Sequence, residues 1–208
     1  MVETTELVEE PTVPVEPEFP PTPEGEFDEA AAAKGWVVAD LYAGSPAAFV
    51  HDICESMPDS AKDSSTRPQW LVESGQMDGH GAAILQAGMP KFCPEWTSAV
   101  KQAVSGRYDR WFGSGSYEVS SKPAHEISAA AVREGTFDFD EETGFSTIPP
   151  GTYRSAGKME NCYWERTTKS GEIVDNNFAT SAREITVTIR ASDGQFTSEN
   201  CAVWKPVG

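Results

Sequence analysis

The chain of 208 residues is poor in positive charge, with 16 Lys and Arg against 33 Asp and Glu, a formal net charge of −17 and a pI near 4.5. Binding to nucleic acids or to anionic membrane surfaces depends largely on basic side chains that neutralise phosphates. No apolar run approaches the roughly 20 residues that a membrane-spanning helix requires. We therefore predict no nucleic-acid partner and no membrane span.

The sequence also lacks the common catalytic and metal-binding motifs. It has three histidines, and His125–Glu126 does not continue into an H-E-x-x-H motif. No phosphate-binding glycine loop and no G-x-S-x-G elbow is present. An acidic run from Asp138 has Thr143 and Pro149 where a calcium-binding EF-hand has Gly and Glu. The sequence therefore predicts no catalytic residue, no metal site and no cofactor, that is, a protein that is not an enzyme.

Acidic residues are concentrated at the N-terminus. Ten of them, no Lys or Arg, and six prolines spaced almost every third residue fall within the first 29 residues. Proline fixes φ and favours extended geometry, and like charges repel one another. Residues 1–28 are therefore predicted to form a disordered acidic Pro-rich arm with polyproline II character, which is either a spacer or a peptide that a partner protein binds.

Helical periodicity dominates residues 29–105. Ser45 and Pro46 provide an N-cap and a first-turn proline ahead of apolar residues at helical spacing from Phe49 to Met57. Other short helices are predicted over Pro68–Ser74, Gly81–Lys91 and the segment from Pro94 to Val104. We expect a small helical domain here.

The period changes after a linker predicted at residues 106–134. In Glu184–Arg190, three β-branched residues alternate with polar ones, as in a half-buried strand, and Asp193–Gly194 is typical of a hairpin turn. The strand-like runs are Thr136–Asp140, Thr152–Ser155, Cys162–Thr167, Glu172–Phe178, Glu184–Arg190 and Ala202–Lys205. Residues 135–208 are predicted to form a small all-β antiparallel sandwich or barrel. The fold class of the whole chain is then α+β.

Four cysteines allow three pairings, and none has the near neighbour that a zinc site needs. The domain division favours Cys54–Cys93 and Cys162–Cys201, because each bond then lies within one domain. Each would close a loop of 39 residues and stabilise by roughly 4 kcal/mol on the chain-entropy estimate. Disulfides indicate an oxidising compartment, and four buried free thiols are the alternative.

Aromatic residues provide the only binding candidates. The chain has six Trp, several of them beside polar residues or glycine. We expect most of them in the core, and a minority exposed on a β face would form a platform for sugars or a partner protein. The candidates are Trp111, Phe112, Tyr163, Trp164 and Trp204.

Four segments occur in a familiar order: IPPGTYRS at 148–155, CYWER at 162–166, ITVTI at 185–189, and C-x-x-W at 201–204. This pattern resembles a small β module, with its two cysteines bonded, of secreted proteins and lipoproteins of actinobacteria and of proteins of their phages. The resemblance covers about residues 135–208. It implies exposure outside the cytoplasm and transfers no catalytic residue. Phe92–Cys93–Pro94 is similar to the end of the last helix in small mycobacterial-type helical domains.

Three hypotheses follow. Because the first residues show neither the basic nor the apolar segment of a secretory signal, the leading one is a non-catalytic accessory protein on the surface of an actinobacteriophage particle. Its arm would bind a capsid or tail protein, and it would serve as a decoration or minor structural protein. The alternative is a processed cell-envelope lipoprotein or secreted binding module of an actinobacterium, with an envelope glycan or protein as ligand. The third, a hydrolase of envelope polymer, is supported only by acidic and aromatic residues.

Overall fold

The computed structural model describes residues 19–60, 65–122 and 147–208, without the side chains of 58–60. Helices come first along the chain and strands follow, so the predicted α+β class is confirmed. The helices are α1 (Pro23–Ala32), α2 (Pro46–Ser60), α3 (Arg67–Glu73), α4 (Gly81–Phe92) and α5 (Thr97–Ser105), with 3-10 turns at Asp40–Tyr42 and Pro94–Trp96. The strands are β1 (Gly115–Val119), β2 (Thr147–Ile148), β3 (Gly151–Thr168), β4 (Ile173–Ile189), β5 (Asp193–Glu199) and β6 (Trp204–Pro206).

Side-chain caps begin the first three helices. Ser45 Oγ accepts a hydrogen bond from Ala48 N at 3.0 Å and donates one to Asp28 Oδ2 at 2.6 Å, which confirms the predicted start of α2. Thr66 and Gln69 form a reciprocal capping box at α3. These bonds satisfy backbone donors that a helix leaves without an internal partner.

The predicted end of the arm at residue 28 is too late. Thr22 Oγ1 accepts from Gly25 N at 3.1 Å and Pro23 occupies the first turn, so α1 begins there. Phe27 is buried and packs edge-on against Phe92, with ring centroids 5.5 Å apart. The prediction for residues 1–18 lies outside the described residues.

The helices enclose one apolar core, which the Cys54–Cys93 disulfide borders. Most of its fully buried side chains come from α2 and α4, where they recur at helical spacing, and α3 and α5 contribute the others. They include Val50, Ile53, Met57, Leu71, Ile84, Leu85, Met89 and Val100.

The strands form one six-stranded sheet in the order β2-β1-β5-β3-β4, with β6 also beside β3. β1 and β2 run parallel, and the remaining pairs are antiparallel. The all-antiparallel prediction therefore fails at one edge. The predicted linker is also corrected: its residues include β1, and Phe112 is buried in the core of the sheet. The expected strand at 136–140 lies outside the described residues.

Two strands are much longer than predicted. β3 joins the two runs 152–155 and 162–167, and β4 joins 172–178 and 184–190. A bulge lies at Gly157, where φ is +151° and the register shifts between Ala156 and Met159. The buried residues of β3 before the bulge are the odd-numbered Tyr153 and Ser155, and those from residue 162 onward include the even-numbered Cys162, Trp164 and Arg166. Met159, between these two stretches, is also buried. The alternation of buried and exposed residues therefore shifts within β3, which is why the sequence indicated two short strands instead of one long strand.

Candidate binding grooves

An open groove of about 590 Å³ lies in the helical region, and we call it the helical groove. Phe49 of α2 and the turn residues Leu41 and Tyr42 provide its apolar walls, and residues of the segment 75–81, which leads into the first residue of α4, also line it. Val37 and Leu41 lie at the rim with 67% and 76% of their surface exposed. Its size and apolar lining are those of a small-ligand site.

Polar contacts hold the walls of the helical groove in place. His80 Nδ1 accepts a hydrogen bond from Val37 N at 3.2 Å, which fixes the rim segment to the start of α4. Tyr42 stacks edge-on against Phe49 at 5.2 Å, and its hydroxyl donates to Asp52 Oδ2 at 2.9 Å. Burial and the Asp52 carboxylate raise the pKa of Tyr42 to about 12, so the phenol stays neutral and supplies no base.

A second groove of about 340 Å³, the tryptophan groove, lies where the helical region meets the segment before β1. Trp96 and Trp111 line it together with Glu95 and Gln102. The Arg67 guanidinium lies 4.4 Å from the Trp96 ring centroid. The Lys205 ammonium lies 3.9 Å from that of Trp111. Both indoles therefore have a cation on one face.

A buried ion pair lies between the helical region and the sheet. Arg110 Nε is 3.7 Å from Glu73 Oε1, and Arg110 is 8% exposed. Burial raises the pKa of Glu73, and the Arg110 charge opposes that rise. Arg110 also borders a cavity of about 460 Å³ that Tyr108 and Pro149 line. Each of the two charges has an opposite charge as its partner. A structural role is therefore sufficient to explain this ion pair, and we do not count it as a functional site.

The structure does not bring the five predicted aromatic residues together. Phe112, Trp164 and Trp204 are 3%, 7% and 0% exposed, so their prediction as exposed binding residues is wrong. They build the core of the sheet: the Phe112 ring stacks on Trp204 at 6.2 Å, and Trp164 stacks on Phe196 at 6.4 Å. Trp111 and Tyr163 are the half-buried members of the set.

Trp111 lines the tryptophan groove, whereas Tyr163 lies in β3 opposite Phe178 of β4. The sequence prediction missed Trp96, Val37 and Leu41. A signal for the latter two was present, because they are apolar residues outside any periodic segment and are bounded by Gly35 and Gly44, both at positive φ.

The four cysteines form the predicted pairs Cys54–Cys93 and Cys162–Cys201, with Cα–Cα distances of 6.1 and 4.6 Å. One bond ties α2 to the end of α4, and the other ties β3 to the segment before β6. In the described parts of the chain, no cluster of three His, Cys, Asp or Glu could hold a metal ion. The acidic run from Asp138 lies outside the described residues.

Residues 134–205, about a third of the chain, match the model of a family described as Rv1352-like extracellular domain. The match includes β2 to β5, the Cys162–Cys201 disulfide and the start of β6. No curated protein and no solved structure matches the chain. None of the helices in the described residues combines the length and apolarity that crossing a bilayer needs. The matched family is described as an extracellular domain, and disulfides form in oxidising compartments outside the cytoplasm. Both findings indicate that the sheet region is similar to a small secreted module and that the protein is extracytoplasmic.

Proposed function

We propose that the protein is a non-catalytic, extracellular binding module of an actinobacterium, and that the helical groove holds an apolar part of its ligand. The family match favours the secreted module over the phage accessory protein, because the matched family is described as an extracellular domain. Nothing in the match points to a virion or to a capsid or tail partner for the N-terminal arm.

The exposure of Leu41 is the observation that favours the helical groove as the ligand site. A leucine with 76% of its surface in water, beside an apolar wall that contains Phe49, leaves surface that a ligand covers with a gain of about 25 cal/mol per Å². The groove volume of about 590 Å³ falls in the range of small-molecule sites. His80 and Gln76 lie at the wall, where they orient a polar end of the ligand.

A long-chain fatty acid that displaces a fluorescent apolar dye tests this site. In Leu41→Asp, a charge at the rim opposes apolar contact, and we expect fatty-acid affinity to fall at least about tenfold. Val104→Asp is the matched control, since Val104 is also an exposed apolar residue of the helical region and does not line the helical groove. Equal affinity in both variants, or no binding by the parent protein, would contradict the proposed site.

The proposal that the protein is not a hydrolase is tested separately with envelope polymers as substrates. The purified protein is expected to release no reducing ends from envelope polysaccharide or peptidoglycan, because no nucleophile with an adjacent base lines the helical groove. Steady release that depends on protein concentration would show that the module is a hydrolase.

The tryptophan groove supports a second candidate, binding of an envelope glycan. Two indoles beside the carboxylate of Glu95 and the amide of Gln102 combine stacking surface with hydrogen-bonding groups. Calorimetric titration with soluble envelope polysaccharide should show binding that Trp96→Ala abolishes and Leu41→Asp leaves intact. Loss in Leu41→Asp alone would assign the glycan to the helical groove instead.

A further inference from the structure

β4 is the long edge strand of the sheet. It pairs with β3 along one side, and in the described residues no strand pairs with its other side. Of the seven large apolar side chains that are exposed in the described residues, Ile173, Val174 and Phe178 belong to this one strand. An exposed edge presents unpaired backbone donors and acceptors to any further strand.

The middle of β4 has few of the features with which proteins protect an edge, and its two charged residues lie at its ends. The segment Asp175–Arg183, here called the edge segment, contains no proline, glycine or lysine. Its pairing with β3 is regular from residue 175 to 182, and a register shift lies at each end. The backbone is therefore regular over the length that a partner strand would need.

The charges of the edge segment are placed symmetrically. Asp175 and Arg183 lie four residues to either side of Ala179. The Asp175 side chain is 54% exposed, and its Oδ2 lies 3.7 Å from Arg166 Nη1 of the same chain. Arg183 is exposed and belongs to none of the ion pairs formed among the described residues. A two-fold axis at Ala179 would place each Asp175 opposite the partner's Arg183 in antiparallel pairing, because opposite residues then have numbers that add to the same value.

We propose that two copies of this chain associate through the edge segments of their β4 strands, antiparallel and in the register centred on Ala179. Shifts of the register by two residues break both charge pairs. The central register also places Phe178, 57% exposed, opposite the partner's Thr180 and diagonal to the partner's Phe178, within reach of an aromatic side chain. This proposal is independent of the ligand of the helical groove.

A two-fold contact of this kind is closed, because each edge segment is used once. It therefore yields a dimer and not a filament. The net charge of −17 opposes association of two chains, and the paired backbone and the two Asp175–Arg183 contacts are the local terms that offset it.

The oligomeric state of the full chain, measured by sedimentation over a range of concentrations at about physiological salt, tests the proposal. We expect a dimer whose dissociation constant rises at least about tenfold in Arg183→Asp, because four carboxylates then face one another at the interface. Lys169→Asp is the matched control, since it makes the same change of charge in the turn between β3 and β4. Monomers at every concentration, or equal effects of both substitutions, would overturn the proposal.

A cross-link tests the register itself. Asn176 and the partner's Ala182 are opposite each other in the proposed dimer, on the face of β4 that points away from Cys162. A mixture of Asn176→Cys and Ala182→Cys chains should form covalent dimers with a short thiol cross-linker, and either chain alone should not, because its two thiols lie far apart. A mixture that fails to cross-link, or single variants that cross-link equally well, would refute this register.

Discussion

The side-chain amide of Gln69 pairs with the backbone of Trp111 in both directions. Gln69 Nε2 donates to Trp111 O at 2.9 Å, and Gln69 Oε1 accepts from Trp111 N at 2.8 Å. Gln69 is 4% exposed. The side chain of Gln69 thus makes the two backbone hydrogen bonds that a neighbouring β-strand would otherwise make. These bonds connect the helical region to the segment that leads into the sheet.

Gln69→Ala is expected to lower the free energy of unfolding by about 1–3 kcal/mol, because both backbone groups of Trp111 and the backbone N–H of Thr66 lose their partner. Gln102→Ala is the control, since Gln102 is exposed and its Nε2 donates only to Ser98 Oγ at 3.3 Å. Urea unfolding followed by tryptophan fluorescence measures both. Equal loss in the two variants would show that the Gln69–Trp111 bonds contribute nothing specific.

The sheet contains a buried ion pair whose loss should be severe. Arg166 Nε donates to Asp193 Oδ2 at 2.8 Å, and the two residues are 5% and 1% exposed. Asp193→Asn leaves a buried guanidinium without its main counter-charge, so we expect a loss of about 3 kcal/mol in urea unfolding. Glu160→Gln, in an exposed pair with Lys158, should change stability by less than about 1 kcal/mol. An equally mild effect of Asp193→Asn would contradict the assigned role.

The same carboxylate predicts how stability depends on pH. Burial alone would raise the pKa of Asp193, but hydrogen bonds from the Arg166 side chain and the Arg190 backbone outweigh it, so this pKa lies below the usual 3.8. A lowered folded-state pKa contributes stability above pH 3.8 that is lost as pH falls through the folded value. Thermal unfolding from pH 6 to pH 2 should therefore show a smaller acid loss in Asp193→Asn than in the parent protein. An unchanged acid loss would refute this contribution.

Both disulfides should be needed for full stability. Replacing Cys162 and Cys201 together by Ala opens a loop of 39 residues and is expected to remove roughly 4 kcal/mol. The double substitution of Cys54 and Cys93 is the matched comparison, because its loop has the same length. Non-reducing peptide mass analysis should recover both linked pairs. Four thiols that react freely with an alkylating reagent in the native protein would contradict the bonds and the extracytoplasmic location.

α4 packs tightly against α2 at Gly88. A Cβ at this position would lie 2.5 Å from Val50 Cγ2 and 3.1 Å from Phe27 Cζ. Gly88→Ala gains about 1 kcal/mol of helix propensity, but overpacking against a β-branched side chain of α2 should exceed it, with a net loss of about 1–2 kcal/mol. Unfolding in urea measures the sign. A stabilised variant would show that the two helices separate easily.

Several structural elements could be predicted from signals between residues that are close together in the sequence. Ser45 and Pro46 marked the start of α2, since capping depends on residues within one turn. The pairing of the cysteines followed from the division of the chain into helical and β periodicity. The start of α1 was missed although Thr22 and Pro23 carry the same signal, because the surrounding prolines and acidic residues favoured an extended arm.

Long-range packing explains the remaining errors. The buried positions of β3 change from odd-numbered to even-numbered residues along the strand, so no single alternation describes it. Asp193 was predicted as a turn residue, yet its side chain is the buried partner of Arg166 and its backbone begins β5. The two residues are 27 apart in sequence, and neither the turn signal nor the strand alternation indicates that their side chains are in contact.

The amino-acid sequence by itself determined the order of helices and strands, the pairing of the cysteines and the location outside the cytoplasm. These depend on residue spacing, on local hydrogen bonds and on the chemistry of thiols. Only the tertiary structure decided which aromatic side chains a ligand can reach, that Leu41 stands at the rim of a groove, and that β4 is an edge. Burial and strand order are set by contacts between distant segments, and each such contact depends on all the others that share the same core.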